Sequence, residues 1–591
     1  MRKILGLAVL GSAMVTMPAW AEQPLYVAYP PANHQTTADK IFLIGTAPST
    51  GEVLVNGKPI PRSAAGHFAP SFPLQVGENS FTLRYQNQEL QVKVTRTPGQ
   101  PSPPVGLAFG KDSLTPAVDI AKLPGELICF GAIAPPKAQV AVKLGTQTLA
   151  LQSQAQTVEL PANSAVLTNQ NQPDTAINSG QYQGCTTVAT PGNLGQPQFQ
   201  LGLNGKTMTQ SAPGKVEILS PAQLAIAVVT ADAGTARTGP STDHSRLTPL
   251  PKGTQAMVTG REGDWLRLDY GAWINRKETR VLKSSVPPRS LIRSIKDRQV
   301  PGWTEIVFPL QTPVPVSVQQ GDRTLTLTLY NTTAQTDTIR LNDSPLISRL
   351  DWQQVAPGQV QYTFNLKSPQ QWGYKLNYVG TSLVLSLRQP PIITRTSSPL
   401  AGIKILLDPG HGSANDLGSK GPTGYPEKDA TLVISKLVQE QLQKRGATVY
   451  LTRQGDEDLL PQDRVVMINK LEPAIALSLH YNALPDNGDA INTKGVSTFW
   501  YNTQAHSLAV FLHNHLVQKL NRPSYGVFWN NLALTRPTVA PAVLLELGFM
   551  INPDEYEWIV NPQEQQRLAE AIAEGITQWV ATTKTGQSGN Q

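Results

Sequence analysis

The sequence predicts a multidomain protein in which a series of all-β modules precedes a C-terminal α/β domain with an open sheet. The 591 residues exceed what one hydrophobic core organises, because domains hold roughly 150 residues each. Many of the 49 prolines and 46 glycines fall in the first two thirds, where short alternating runs predict strands joined by turns. From Ile403 onward, apolar strand-length runs alternate with helix-length amphipathic runs, the pattern of a βαβ sheet.

The N-terminus has the organisation of a secretory signal peptide over residues 1–21. Arg2 and Lys3 precede an apolar run at residues 4–17, and Ala19-Trp20-Ala21 forms an A-x-A cleavage pattern. We therefore expect export to the periplasm or another part of the cell envelope. The apolar run is too short to span a bilayer comfortably, and no later stretch is long and apolar enough to cross one. We expect no transmembrane segment in the mature chain.

The composition narrows the class of binding partner. Apolar residues make up 40 % of the chain, as in ordinary globular proteins, and charged residues make up only 15 %. The formal net charge of +7 is compatible with an anionic polymer as partner, or with solubility alone. The basic residues do not cluster into a patch, so no nucleic-acid partner is predicted.

Residues 22–104 and 105–222 are each predicted to form an immunoglobulin-like β-sandwich. In the first, Val53–Val55 leads into Asn56-Gly57, which is a hairpin turn signal. Residues 140–144 repeat this pattern in the second module. Short strands with frequent turn signals are typical of such sandwiches.

The two cysteines of the chain, Cys129 and Cys185, both fall in the second module. Export to an oxidising compartment would allow them to pair, and the sequence leaves the disulfide open. No second metal ligand or catalytic base lies near either cysteine in sequence, so neither a metal site nor a nucleophile is predicted there.

Residues 223–285 contain three short motifs that resemble those of bacterial SH3-like domains. They are Gly239-Pro240-Ser241, Gly263-Asp264-Trp265 and Gly271-Ala272-Trp273. Members of that family often bind cell-wall peptides. Trp265 therefore either contacts such a ligand or fills the core of a small barrel.

Residues 286–395 are predicted to form a further β-module. Apolar and polar residues alternate cleanly at 324–329 and 382–387, which indicates strands. In this pattern and in its position before the C-terminal domain, the module resembles envelope-targeting β-domains. We therefore expect the β-modules to bind the cell wall and to carry no part of the chemistry.

Residues 398–582 form the predicted α/β domain, with a C-terminal tail at residues 583–591. Largely apolar runs of strand length predict strands at residues 403–407, 447–452, 474–479, 496–501 and 542–547. Helical periodicity predicts helices at residues 430–445, 464–471, 505–520 and 564–580. In an open α/β sheet, functional groups gather at the carboxyl ends of strands.

Four chemically active side chains fall at such positions. His411 follows the first strand, Glu427 stands just ahead of the first long helix, and His480 and Glu546 lie at the ends of two further strands. Two imidazoles and one carboxylate suit a catalytic zinc with a fourth position for water, and the other carboxylate is then free for proton transfer. Singly, a histidine at a strand end is more often structural. The glycine-rich loop around His411 lacks the phosphate-binding fingerprints.

Residues 404–580 resemble the zinc-dependent N-acetylmuramoyl-L-alanine amidases over the whole C-terminal domain. The matching motifs, in the family's order, are Asp408-Pro409-Gly410-His411-Gly412, Glu427-Lys428-Asp429, Leu451-Thr452-Arg453 with Arg464, Ser478-Leu479-His480-Tyr481-Asn482, and Ala540-Pro541-Ala542-Val543-Leu544-Leu545-Glu546-Leu547-Gly548-Phe549. Ser413 and Tyr481 depart from the family pattern, which has a glycine and a small residue there. Neither departure falls on a ligand position.

The resemblance implies that one zinc ion is bound by His411, Glu427 and His480, and that Glu546 is the catalytic carboxylate. It implies hydrolysis of the amide bond between N-acetylmuramic acid and L-alanine in peptidoglycan, for cell-wall remodelling or daughter-cell separation. Two alternatives stay open: a wall-binding scaffold that has lost activity, and a zinc peptidase that cuts within the stem peptide. All four residues are present, which argues against the scaffold. The sequence indicates no particular envelope partner protein.

Two further expectations concern the surroundings of the second histidine. Asp408 and Asn482 are candidates for orienting a ligand or the substrate, and capping the turn at Pro409-Gly410 is the alternative for Asp408. Some amidases of this family carry a long helical insertion after the second histidine that blocks the metal site. Here residues 481–495 contain a proline, two glycines and several asparagines, which predicts a surface loop and an open cleft.

Overall fold

The computed structural model describes residues 24–99, 103–284, 286–392 and 398–585. It confirms the predicted fold class, because a β-rich N-terminal region is followed by an α/β domain with a mixed sheet. The predicted signal peptide lies outside the described residues, as do residues 100–102 and most of the predicted tail. In the part of the chain that is described, no helix has the length and apolar character needed to cross a membrane.

The first β-module is built from a five-stranded, a three-stranded and a two-stranded sheet around one apolar core. Phe81, Leu83 and Tyr85 alternate with less buried residues along the strand Gly77–Tyr85, so one face of this strand contributes to that core. Phe68 and Leu83 are fully buried within it. Its strands are β1 (Tyr26–Tyr29), β2 (His34–Thr36), β3 (Lys40–Phe42), β4 (Ile44–Thr46), β5 (Val53–Val55), β6 (Lys58–Pro59), β7 (His67–Phe68), β8 (Ser71–Pro73), β9 (Gly77–Tyr85) and β10 (Gln88–Arg96).

The second β-module contains a six-stranded sheet with a long hairpin. Cys129 and Cys185 face each other in register on neighbouring strands, with their Cα atoms 4.0 Å apart, and form a disulfide. Its strands are β11 (Ile120–Lys122), β12 (Leu127–Ile133), β13 (Gln139–Leu144), β14 (Gln147–Glu159), β15 (Asp174–Thr187), β16 (Gly192–Gly195), β17 (Gln198–Leu203), β18 (Lys206–Ser211) and β19 (Val216–Ile218). The hairpin is formed by β14 and β15.

The third β-module has a small core of its own but shares a sheet with the second. Its strands are β20 (Ala225–Val229), β21 (Ala233–Gly234), β22 (Leu250–Pro251), β23 (Gln255–Glu262), β24 (Trp265–Leu268), β25 (Trp273–Asn275) and β26 (Thr279–Lys283). β11 pairs with β23, so hydrogen bonds cross the boundary that was predicted at residue 223. Trp273 is buried, whereas Trp265 is half-buried beside the guanidinium of Arg237.

The fourth β-module consists of a five-stranded and a four-stranded sheet that enclose a common apolar core. Phe308 and Tyr362 pack edge to face within that core. Its strands are β27 (Ser290–Val300), β28 (Trp303–Phe308), β29 (Val316–Gln320), β30 (Thr324–Tyr330), β31 (Thr332–Arg340), β32 (Ile347–Ala356), β33 (Gln359–Leu366), β34 (Tyr374–Val379) and β35 (Ser382–Arg388).

The C-terminal domain is a six-stranded sheet flanked by helices. Its strands are β36 (Lys404–Pro409), β37 (Thr448–Leu451), β38 (Ile475–Asn482), β39 (Val496–Trp500), β40 (Ser524–Trp529) and β41 (Ala542–Phe549). Its helices are α1 (Glu427–Lys444), α2 (Pro461–Leu471), α3 (Thr503–Leu520), α4 (Pro553–Ile559) and α5 (Pro562–Thr585). The strand order is β37-β36-β38-β41-β39-β40, and β39 runs antiparallel to β41. One face of the sheet packs on α1, α3 and α5.

The predicted elements of this domain are present, with shifted ends and two omissions. Helix α1 begins at Glu427 and not at residue 430, so the expectation that Glu427 precedes the helix is wrong. An acidic side chain in the first turn is favourable there because it faces the positive end of the helix dipole. Strand β40 and helix α4 were not predicted. Strand β40 is largely half-buried and contains Gly526, and α4 has only seven residues, so neither carries a strong apolar period.

The fourth β-module packs against the second face of the sheet of the C-terminal domain. Trp303 of β28 packs with Leu406 of β36 and Ile468 of α2 in one apolar cluster. The guanidinium of Arg388 donates hydrogen bonds to backbone carbonyls of Glu472 and Val539 at 2.7 Å. The C-terminal domain therefore completes its packing with residues of an upstream module.

Candidate metal centre

The loop after β36 holds His411 in an uncommon backbone conformation, and two glycines lie close to the histidine rings of the site. His411 has a φ of 60°, in the left-handed region that non-glycine residues rarely adopt. A Cβ atom on Gly410 would lie 2.3 Å from the His480 ring, and one on Gly418 would lie 2.6 Å from the His411 ring. Glycine at these two positions is what allows the imidazoles and the loop to approach each other.

The structure brings His411, Glu427 and His480 together. Glu427 Oε1 lies 3.2 Å from His411 Nε2 and 3.1 Å from His480 Nδ1. One donor atom from each of the three residues falls within 4.8 Å of the others, and among the described residues this is the one group of at least three such donors that meets that distance. The Glu427 side chain is 4 % exposed, whereas His411 and His480 are 24 % and 17 % exposed. The centre is therefore reached from solvent on the histidine side.

The electrostatics of the three side chains favour a cation between them. Burial alone would lower the pKa of His411, but Glu427 and Asp416 outweigh burial and raise it to about 9. Burial alone would raise the pKa of Glu427, but the two histidines outweigh it and lower that pKa. The Glu427 carboxylate therefore stays ionised and supplies negative charge at the centre. Two imidazole nitrogens and a carboxylate that converge in this way fit the donor set of a catalytic zinc site.

Neighbouring groups hold two of the three side chains in place. Asp416 Oδ1 lies 2.6 Å from His411 Nδ1, which leaves Nε2 directed at Glu427. Glu427 Oε2 accepts hydrogen bonds of 2.9 Å from the backbone N–H and the hydroxyl of Ser419, and Oε1 accepts one of 3.0 Å from Tyr481 N–H. Such partners fix ring tautomer and carboxylate orientation. Asp416 and Ser419 were not predicted. An acidic residue five positions after a loop histidine is the signal that could have pointed to Asp416.

Asp408 lies beneath the centre and does not cap the turn or face a ligand. It is buried, and its carboxylate accepts hydrogen bonds from Arg464 and Ser478 at 2.6 Å and from Thr452 at 2.5 Å. Arg464 also donates to the carbonyls of Pro409 and His411. This buried ion pair therefore anchors the loop that carries His411. The side chain of Asn482, the other candidate, accepts a hydrogen bond from the backbone N–H of Ala483.

Glu546 lies beside His480 on the neighbouring strand. The parallel register of β38 and β41 sets Glu546 opposite His480, and the antiparallel register of β39 sets it opposite Ser497. Its Oε2 atom is shielded from solvent and has no hydrogen-bond partner among the described residues. Burial, with a smaller contribution from Glu427, raises the pKa of Glu546 well above its ordinary value. This carboxyl group is therefore available to hold or release a proton.

The loop predicted at residues 481–495 begins two residues later, because β38 extends to Asn482. Residues 483–495 contain neither helix nor strand, as predicted, but they do not form a free surface loop. Ala490 is fully buried in an apolar cluster with Phe42 and Ile44 of the first β-module. Tyr29 and His34 of that module contact Asp486 of the loop. Apolar residues within a polar, turn-rich segment explain the difference, because they pack against a module that is distant in sequence.

Three other titratable side chains of the C-terminal domain have ordinary partners. Asp456 pairs with Lys428, and Asp458 accepts a hydrogen bond from Ser413. His513 is buried and contacts Ser524. All three side chains lie outside the group formed by His411, Glu427 and His480.

The C-terminal domain is similar to a known family of proteins. Residues 405–578 match the family model described as N-acetylmuramoyl-L-alanine amidase. The chain is 32 % identical over 198 residues to a probable cell wall amidase LytH of Staphylococcus epidermidis. The matched segment covers 33 % of this chain and 65 % of that protein. It is 35 % identical over 185 residues to the Staphylococcus aureus protein of that name, and this match covers 31 % of this chain and 60 % of that protein. The chain thus spans less than two thirds of these curated relatives.

Solved structures include similar domains. An N-acetylmuramoyl-L-alanine amidase from Clostridium difficile 630 is 30 % identical, with a match that covers 30 % of this chain and 97 % of that chain at a TM-score of 0.29. The amidase AmiC2 of Nostoc punctiforme is 28 % identical, with 32 % and 99 % covered and a TM-score of 0.29.

Proposed function

Because residues 405–578 form a domain of the N-acetylmuramoyl-L-alanine amidase family, we propose that this protein hydrolyses the amide bond between N-acetylmuramic acid and L-alanine in peptidoglycan. The observation that carries the proposal is the convergence of His411, Glu427 and His480, with Glu546 on the adjacent strand. A metal-ligating trio beside a free, buried carboxyl group is what hydrolysis of an unactivated amide requires.

The metal in this proposal would be one zinc ion, and His411, Glu427 and His480 would hold it. Two imidazoles and one carboxylate are a common ligand set of catalytic zinc, and the exposed histidine side leaves room for water and substrate. A zinc ion bound there would lower the pKa of a water molecule and polarise the scissile carbonyl. Asp416 holds the His411 ring through Nδ1 so that Nε2 faces the centre.

Glu546 moves the proton in this mechanism. Its Oε2 accepts a proton from the attacking water as the water oxygen bonds to the carbonyl carbon. The carbon–nitrogen bond then breaks, and Glu546 returns the proton to the nitrogen of L-alanine. The products are the lactyl carboxylate of muramic acid and a stem peptide with a free amine. Oε2 has no competing hydrogen-bond partner among the described residues, which supports this role.

Mass spectrometry of peptidoglycan fragments digested by the full chain tests the proposal. Intact stem peptides with a free L-alanine amine are expected. Shortened stems would instead indicate a zinc peptidase that cuts within the stem, and unchanged fragments would indicate a scaffold without activity. The His480→Ala variant is the control that separates this activity from a contaminating hydrolase.

Export and wall targeting belong to the same proposal. The predicted signal peptide at residues 1–21 supports release into the periplasm or cell envelope, where peptidoglycan lies. We keep the predicted modules, at residues 22–104, 105–222, 223–285 and 286–395, as wall-targeting units ahead of the catalytic domain at residues 398–582. Sedimentation of the full chain with intact wall sacculi, with and without these modules, tests that assignment.

A further inference from the structure

A cavity of about 460 Å³ lies where the third β-module, the fourth β-module and the catalytic domain meet. Its lining includes Thr235, Arg246, Gln320, Tyr501, Trp529 and Arg536. Strand β39 runs antiparallel to β41, and Tyr501 follows its last residue. Tyr501 therefore lies at one end of the strands, and His480 and Glu546 lie towards the other end. The cavity is a separate site from the metal centre.

The described lining of the cavity carries two guanidinium groups, those of Arg246 and Arg536, and no carboxylate. Arg536 donates from Nε to the carbonyl of Leu532, and in the described chain its two terminal nitrogens have no hydrogen-bond partner. Burial lowers the pKa of Arg536 to about 10, and the positive charges of Arg246 and Arg237 add to this effect.

The carboxylate whose charge acts on Arg246 is already engaged elsewhere. Glu278 accepts hydrogen bonds of 2.7 Å from the backbone N–H of Thr235 and 3.1 Å from its hydroxyl. Arg246 itself makes one long hydrogen bond of 3.4 Å, to the Thr235 hydroxyl. Both guanidinium groups therefore keep donors free for a ligand.

Two further features of the lining suit an anion attached to a larger molecule. Helix α3 begins at Thr503 in the cavity wall, and its first turn has no side-chain cap, so its N–H groups add positive potential. Tyr501 and Trp529 pack with ring centroids 5.2 Å apart. The Trp529 side chain is 61 % exposed, so this aromatic pair offers an apolar face at the cavity.

We propose that this cavity binds a carboxylate of a peptidoglycan stem peptide, with Arg246 and Arg536 as the groups that bind the anion and Trp529 as the face against which the peptide packs. The inference rests on the proposed function only for the identity of the polymer. A paired guanidinium site binds a planar carboxylate well. The cavity and the metal centre lie at opposite ends of the strands. A peptide bound in the cavity therefore belongs to a different part of the wall from the peptide being cut. The cavity would thus hold the enzyme on its substrate.

The test is calorimetric titration of a soluble muropeptide into the full chain carrying His480→Ala, a background in which the metal centre is disabled. Binding is expected, and it should weaken about tenfold or more in Arg246→Gln and in Arg536→Gln, the usual effect of losing a charge-assisted hydrogen bond. Trp529→Leu changes an exposed side chain and should also weaken binding. Arg349→Gln, an exposed arginine of the fourth module, is the matched control and should bind as the parent does.

A second titration uses the same muropeptide with its carboxylates converted to primary amides, and a third uses inorganic phosphate. Loss of binding on amidation supports the inference. Equal binding of the amidated muropeptide, or unchanged binding in all three cavity variants, would overturn it. Binding of phosphate without binding of muropeptide would also overturn it. If the parent chain cuts muropeptides but the cavity variants bind normally, this inference fails and the proposed function stands. If the chain cuts no muropeptide but binds it in a way that depends on the two arginines, the proposed function fails and this inference stands.

Discussion

His34 Nε2 lies 2.9 Å from Asp486 Oδ2, although 452 positions separate the two residues in sequence. The tyrosine hydroxyl of Tyr29 donates to the same carboxylate. The histidine and aspartate side chains are only 18 % and 20 % exposed, so the contact is sheltered from solvent. Since Asp486 lies in the loop that follows His480, the first β-module is part of the structure that surrounds the metal centre.

We predict that Asp486→Asn loosens the first β-module from this loop. The change keeps the shape of the side chain but removes the charge that Tyr29 and His34 contact. Faster amide hydrogen exchange is expected at residues 483–494 and in the facing strands of the first module. Mass spectrometry of the exchanged protein measures it. Asp489→Asn is the control, because Asp489 bonds within the loop to Asn492. Equal exchange in the two variants would contradict the prediction.

The same carboxylate should give the docking a pH dependence. Burial raises the pKa of Asp486, but hydrogen bonds from Thr36, Tyr29 and His34 outweigh burial and hold it below the ordinary value. An unfolded aspartate has a pKa of about 3.9, so the stabilisation is present above about pH 4 and is lost as the pH falls through the folded pKa. The thermal unfolding midpoint of the parent should exceed that of Asp486→Asn at pH 6, and the difference should shrink towards pH 3. A constant difference would contradict this.

The sequence predicted those elements and site residues that follow from a local pattern, such as an apolar run or a polar residue at the end of a strand. Apolar runs predicted five of the six strands of the catalytic sheet, and the rule that strand ends carry function pointed to His411, His480 and Glu546. The edge strand β40 lacked such a run because its residues are half-buried and interrupted by Gly526. Residues whose role depends on a partner elsewhere in the chain were harder to predict.

Contacts between distant segments left no periodic signal. Ser419 binds Glu427 across eight positions of an irregular loop, and nothing in the residue type marks it. Phe42 packs on Ala490 from a module at the other end of the chain. The pairing of β11 with β23 joins two modules that composition alone separates. Each of these depends on how folded units meet, which a pattern read along one segment does not contain.

We predict that His480→Ala abolishes stoichiometric zinc binding by the full chain. Removing one of three protein ligands leaves His411 and Glu427, too few for a stable catalytic site. Elemental analysis of the purified variant measures the metal content. His506→Ala is the matched control, because His506 is an exposed histidine of α3 outside the centre. A full equivalent of zinc in His480→Ala would show that the ligands have been assigned wrongly.

Glu546→Gln should keep the metal and lose the activity. Glutamine preserves the size of the side chain but cannot accept a proton, so the rate should fall by roughly two to four orders of magnitude, the usual contribution of a general base. Turnover of a soluble muropeptide and metal content are measured on the same preparation. Loss of zinc together with activity would instead make Glu546 a ligand.

Trp303→Ala should destabilise the catalytic domain although Trp303 belongs to the fourth β-module. Its side chain is 7 % exposed, packs against the second face of the sheet, and donates through Nε1 to Glu472 at 3.2 Å. The Lys375 ammonium lies 4.0 Å from the centre of its ring. Truncating a buried tryptophan costs about 3 kcal/mol or more, because the cavity left behind refills only in part.

Hydrogen exchange of β36 and α2 measures that loss at the residues that Trp303 covers, so it does not depend on the whole chain unfolding in one step. Trp352→Ala is the matched control, because Trp352 lies in the same module and is 40 % exposed. It should change stability by less than about 0.5 kcal/mol. If Trp303→Ala leaves exchange in β36 and α2 unaltered, the fourth module is a separate unit joined by a linker. If exchange rises there, the module that was predicted only to target the wall also supports the fold that carries His411 and His480.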